Sequence, residues 1–116
     1  MTSKEALAPG DLVLVPFPYT DLSATKTRPA LVLSPRHLNQ GPDVVVCAMT
    51  SNLANADASV LLEPGDLASG RLPRASRAKV TKLATLQQSM VRRRFGRLKP
   101  APMDQVRKEL RVALDL

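Results

Sequence analysis

The sequence predicts a mostly β chain closed by one C-terminal α-helix, folded as a small, mainly antiparallel barrel. Three observations predict it. Short runs of β-forming residues recur between Pro, Gly, Asn and Asp punctuation. Three-four apolar spacing is sustained only at the C-terminal end, so a single amphipathic helix is expected there. The length of 116 residues suits one domain with one modest core. No internal repeat, linker or second domain interrupts residues 1–116.

Taken in order, residues 1–8 read as a flexible lead-in, and Pro9-Gly10-Asp11 as a turn. Leu12 to Val15 is the first strand. Residues 16–27 form a long polar loop opening on two prolines, and a loop of that length in a small domain is usually functional or mobile. Ala30 to Leu33 is a second, buried strand; Ser34 to Pro42 breaks it. Asp43 to Met49 is the third strand, Ser51 to Asp57 a loop, and Ala58 to Leu62 the fourth strand. Glu63 to Asp66 is a turn, and a connection punctuated by Gly70 and Pro73 runs to Ser76. Partial alternation of Val80, Leu83 and Leu86 makes Lys79 to Leu86 the fifth strand. A short last strand is expected near Val91 or Phe95, with a bend at Gly96. Pro102 suits the first turn of the closing helix, and Asp104 and Glu109 its early part. Met103, Val106, Leu110, Ala113 and Leu114 make its core stripe, with Lys108 and Arg111 off it.

Composition narrows the function classes. An apolar share of 44% is ordinary for a globular chain and argues against wholesale disorder. No apolar run has transmembrane length and no signal-peptide pattern opens the sequence, so no membrane role and a cytoplasmic location are expected. Seventeen Lys and Arg against ten Asp and Glu give a net charge of +7 and a pI near 10.3. Such a balance favours a polyanion, either nucleic acid or an acidic protein segment. Aromatics are only 3%, without Trp, so any RNA binding rests on cations, backbone donors and shape more than on stacking. One Cys excludes an intrachain disulfide, and one Cys with one His gives no metal cluster, so no cofactor is expected. Cys47, inside an apolar strand, reads as core.

Two residues stand out as candidate chemistry. Pro29 holds the residue before it extended, so Arg28 is delivered at a strand mouth with its side chain aimed by the backbone. Thr50 ends the third strand in a hydroxyl. Together they could meet at one phosphate. Plainer readings stand beside these: a salt bridge or loop anchor for Arg28, and a turn-satisfying hydroxyl for Thr50 and for Ser76. His37 lies in the polar break after the second strand and reads as surface. Arg92-Arg93-Arg94, with Arg97 and Lys99, reads as a solvated face that can also steer RNA or an acidic partner. Lys26, Arg71, Arg74, Arg77 and Lys79 form a second basic cluster.

The run GDLVLVPFPYTDL over residues 10–22, followed by RPALVLS over residues 28–34, resembles the MazF/PemK family, toxins of type II toxin–antitoxin modules. Thr50-Ser51, GRLPRAS over 70–76 and KLATL over 82–86 continue the match. The resemblance implies an SH3-like barrel related to the CcdB/PemK fold and a homodimer. It also implies a cognate acidic antitoxin that wraps the toxin and blocks its site. The implied activity is metal-independent cleavage of single-stranded RNA at short motifs, leaving 2′,3′-cyclic phosphate and 5′-hydroxyl ends. The family's catalytic arginine and threonine match Arg28 and Thr50. Asp21, Lys26, Ser51, Arg74, Ser76, Arg77 and Lys79 are the candidate RNA contacts. Where some relatives carry an arginine and an aspartate on the fifth strand, this chain has Lys79-Val80-Thr81, and residues 16–27 hold no histidine. The general base therefore stays unassigned between substrate, water and a loop carboxylate such as Asp21. A gyrase poison of the CcdB type, or a non-catalytic nucleic-acid or peptide-binding module on the same fold, are the alternatives.

Overall fold

Alternation along the first strand already sorts the core into two. In β1 (Asp11–Pro16), Leu12 packs into one buried cluster, Val13 and Val15 into another, as residues two apart share a face. In β2 (Thr27–Val32), Leu31 likewise opposes Ala30 and Val32. In β3 (Asp43–Thr50), Cys47 and Met49 oppose Val44, Val46 and Ala48. These strands are buried on both faces, which is why they read as continuous apolar runs. The computed structural model describes residues 6–16 and 27–116.

Between β2 and β3 lies a single helical turn, α1 (Arg36–Asn39). The remaining elements are β4 (Ser59–Leu62), β5 (Leu67–Gly70), β6 (Ser76–Gln87), β7 (Arg93–Leu98) and α2 (Pro100–Leu114). Among the described residues the strands form one antiparallel sheet, ordered β4-β6-β3-β2-β1-β7-β5, curled into a half-barrel. Helix α2 packs against β6 and β4 and seats Met103 and Val106 in the first cluster. Leu110 and Ala113 follow it, but Leu114, expected on the same stripe, is exposed past the sheet's reach.

Four other differences have physical causes. The helix starts at Pro100, whose missing N–H falls where none is needed, two residues before the expected proline. Strand β5 was expected as irregular connection; its Leu-Ala-Ser-Gly sequence has little β preference and is held by pairing with β7. Strand β6 runs longer than expected because it pairs with β3 on one side and β4 on the other. The expected lead-in ends early: the Ala8 N–H donates to Asp11 Oδ2 at 2.9 Å, and Leu7 O accepts from Asn39 Nδ2 at 2.7 Å.

Gly70 marks the closest approach in the sheet. Its φ is +80°, and a Cβ there would stand 2.2 Å from Phe95 O. Gly70→Ala is expected to cost about 2 kcal/mol, combining left-handed strain with overpacking against backbone that cannot move aside. A lower urea midpoint at unchanged slope would report it.

Burial pushes the Cys47 thiol up from 9.0 to about 12. The folded chain therefore keeps a proton that the unfolded chain releases. Stability tied to this thiol is full below pH 9.0 and falls as pH climbs towards 12, by at most about 1.4 kcal/mol per pH unit. Denaturation of wild type and Cys47→Ala across that window should show the extra loss only in wild type.

Candidate functional site

Strand pairing sets where the two candidate residues lie. Strands β2 and β3 pair through Ala30↔Ala48, Leu31↔Cys47 and Val32↔Val46. Pro29 has no N–H to extend that ladder. Continuing the same register two residues toward the strand mouth brings Arg28 across from Thr50. Both residues line one open cavity of about 1110 Å³.

The cavity wall is strongly cationic. Arg28, Arg71, Arg74, Lys79, Lys82 and Arg93 line it, against a single carboxylate, Asp57, among the described residues. Two structural devices bring these cations together. The β3–β6 register jumps from Cys47↔Leu83 to Ala48↔Lys79. Val80, Thr81 and Lys82 thus bulge out of the β3 ladder, and Thr81 and Lys82 reach the cavity. Bulges commonly re-aim side chains beside sites. On β7, alternation puts Arg93 and Phe95 at the cavity, while Arg94 turns to Asp11, with 3.6 Å between Nη1 and Oδ2.

Thr50 is half-buried, and its Oγ1 accepts the Asn52 N–H at 3.1 Å. The turn-satisfying role and the cavity position are thus held by one hydroxyl. With its oxygen engaged, the O–H hydrogen is left to give. Ser51 is exposed on the rim, Arg74 likewise, and Ser76 is buried with its Oγ donating to Arg74 O at 3.3 Å. Lys79 is only 8% exposed, its Nζ donating to Asp57 O at 3.0 Å and Asn55 O at 3.2 Å. Arg77 is not brought into the cavity; its Nε donates to Leu53 O at 3.0 Å. Asp21 and Lys26 lie outside the described residues. His37 is exposed on α1, away from the cavity.

Sequence reasoning missed Asn52, Asn55 and Asp57 on one wall and Phe95 on another. The first two carried a signal: Asn52 and Asn55 cap backbone N–H groups two residues on, the Asx-turn pattern. Among the described residues no group of three His, Cys, Asp or Glu side chains could hold a metal ion, and no helix is long and apolar enough to cross a membrane.

Comparison with known proteins adds to this geometry. The profile of the PemK-like, MazF-like toxins of type II toxin–antitoxin systems matches residues 8–114. No curated protein matches the chain. Among solved structures, a mycobacterial endoribonuclease in complex with its cognate antitoxin superposes with a TM-score of 0.77 at 23% identity, covering 96% of this chain and 97% of that one. MazF from Deinococcus radiodurans gives 0.76 at 22% identity, covering 97% and 100%. The Mycobacterium tuberculosis toxin MazF-mt6 gives 0.73 at 18% identity, covering 91% and 97%. At these identities the shared property is the fold.

Proposed function

The chain belongs to the PemK-like, MazF-like toxin family of type II toxin–antitoxin systems, and from that premise we propose that it is an endoribonuclease cutting single-stranded RNA in the cytoplasm without a metal. The observation that supports the reading is the shared cavity, which Arg28 and Thr50 line among five further cations. The structural neighbours named as endoribonucleases support the same reading.

RNA brings its own nucleophile. The ribose 2′-oxygen attacks the adjacent phosphorus and gives up its proton, while the bond from phosphorus to the 5′-oxygen breaks and that oxygen takes a proton. The products are a 2′,3′-cyclic phosphate and a 5′-hydroxyl. Arg28 offers a planar, permanent cation that can bind two non-bridging oxygens as negative charge builds on them. A guanidinium has no acceptor to offer a proton, so Arg28 is a stabiliser rather than a base. Thr50 donates its O–H to the same phosphate. Ser51, Ser76 and Arg74, with Arg71, Lys82 and Arg93, guide the strand in. The proton acceptor is the substrate, a water or a carboxylate such as Asp21.

An acidic antitoxin segment would meet the same cationic wall and compete with RNA. The neighbour solved with its cognate antitoxin supports such a partner. A homodimer would cover the exposed edges of β4 and β5; sedimentation as a monomer at micromolar concentration would contradict it.

Incubating the pure protein with mixed RNA in EDTA and mapping 5′-hydroxyl ends tests the activity. Reproducible cuts are expected. Intact RNA, or gyrase–DNA adducts in its place, would overturn the reading. RNA affinity should also fall steeply with salt, with a log–log slope of about −3.5 if the lining cations other than Lys79 engage phosphates. A flat response would show that phosphates do not dominate binding.

A further inference from the structure

The loop Ser51–Asp57 leads from β3 towards β4 and is exposed throughout, yet several of its backbone polar groups are held by side chains. Its N–H groups are taken from within: Asn52 N donates to Thr50 Oγ1 at 3.1 Å, Ala54 N to Asn52 Oδ1 at 3.0 Å, and Asp57 N to Asn55 Oδ1 at 3.0 Å. Its carbonyls are taken from outside. Arg77 Nε holds Leu53 O, and Lys79 Nζ holds both Asn55 O and Asp57 O. Arg77 and Lys79 are two apart on β6, so they share a face and grip the loop side by side. No carboxylate pairs with Lys79 among the described residues; its buried ammonium is directed at those two carbonyls.

Resting on the endoribonuclease reading, we propose that Arg77 and Lys79 are positioning residues that act through Thr50. They fix the loop, the loop holds the Asn52 N–H on Thr50 Oγ1, and that bond commits the Thr50 hydroxyl to donating towards the phosphate. Neither cation then contacts RNA. Without the grip, the Asn52 N–H drifts and the hydroxyl rotates among donor and acceptor states.

Arg77→Met and Lys79→Met, made separately, test this. The substrate is an oligoribonucleotide carrying one mapped cut site, and the binding probe is its 2′-deoxy version at that nucleotide. Expected are a fall in kcat of about ten- to a hundredfold, KM within about twofold, and a salt slope of binding equal to wild type. In a Thr50→Val background, either substitution should cost little more, because its route of action is already removed. Amide exchange should show lost protection at Asn52. If Lys79→Met does not fold, Arg77→Met, at a half-buried position outside the cavity, carries the same test. A salt slope shallower by about 0.7 per cation removed would mean direct phosphate contact. That result, full additivity with Thr50→Val, or unchanged Asn52 exchange would overturn the proposal. Should wild type fail to cut any RNA, the nuclease reading falls, while the Asn52 exchange result still decides whether the two cations hold the loop.

Discussion

Replacing Arg28 by lysine is expected to lower the rate of RNA cleavage by about a hundred- to a thousandfold and leave the fold intact. The magnitude follows from what lysine cannot do. An ammonium is a compact point charge, whereas the guanidinium fork places two donors at the spacing of two phosphate oxygens. That second donor matters most when the phosphorus is five-coordinate and its oxygens carry the greatest charge. The loss should therefore fall on kcat more than on KM. Stability should hardly move, because Arg28 is exposed at the end of β2, beyond the last β2–β3 ladder pair, and exposed side chains contribute little to folding. Single-turnover cleavage beside circular dichroism melts separates the two. A variant that keeps more than a tenth of the wild-type rate would remove Arg28 from the chemistry and return it to a loop anchor. Thr50→Val, losing one donor to the same oxygen, should cost less, about ten- to a hundredfold.

Much of this architecture was legible in the residues. Strands β1 to β4 announce themselves because runs of Val and Leu there are bounded by Pro, Gly and Asn, and α2 because its stripe is regular. The sequence singled out residues 28 and 50 as a pair, but the step that brings both to one cavity was not legible in it. That step is the antiparallel register of β2 and β3, which no local pattern encodes. Strand β5 was illegible for the opposite reason: Leu-Ala-Ser-Gly becomes a strand because β7 offers it a ladder. Lys79 shows the limit most sharply. A lysine in a polar stretch reads as exposed, yet its partners are loop carbonyls 22 and 24 residues away, so its burial depends on the loop returning to β6. The basic run at residues 92–97 divides in a similar way. Strand alternation separates Arg93, at the cavity, from Arg94, and the register shift in the β1–β7 ladder brings Arg97, three residues on, to Asp11 as well.

That last assignment carries the largest expected effect on stability. Asp11→Ala should cost about 3 kcal/mol, the low end for breaking a buried ion pair. The carboxylate is fully buried at the start of β1, where its Oδ1 accepts from Arg97 Nε at 2.7 Å and its Oδ2 from Ala8 N at 2.9 Å, with Arg94 3.6 Å away. Asp11 and Arg97 are also direct partners across the β1–β7 ladder, so one side chain ties the N-terminal turn to two strands. The low end applies because the Arg97 side chain is one-third exposed and can recover some hydration once its partner is gone. Asn at this position keeps an acceptor and the shape, and should lose only about 1–2 kcal/mol. Of a total stability of about 5–15 kcal/mol, the alanine loss is a large share. A loss of less than about 1 kcal/mol, taken from the urea midpoint shift at unchanged slope, would make the pair no more than a surface contact. Because Arg94 and Arg97 lie against Asp11 and do not line the cavity, the folded fraction of Asp11→Asn should keep wild-type cleavage and wild-type salt dependence. A changed salt slope in that variant would place those arginines on the RNA path after all.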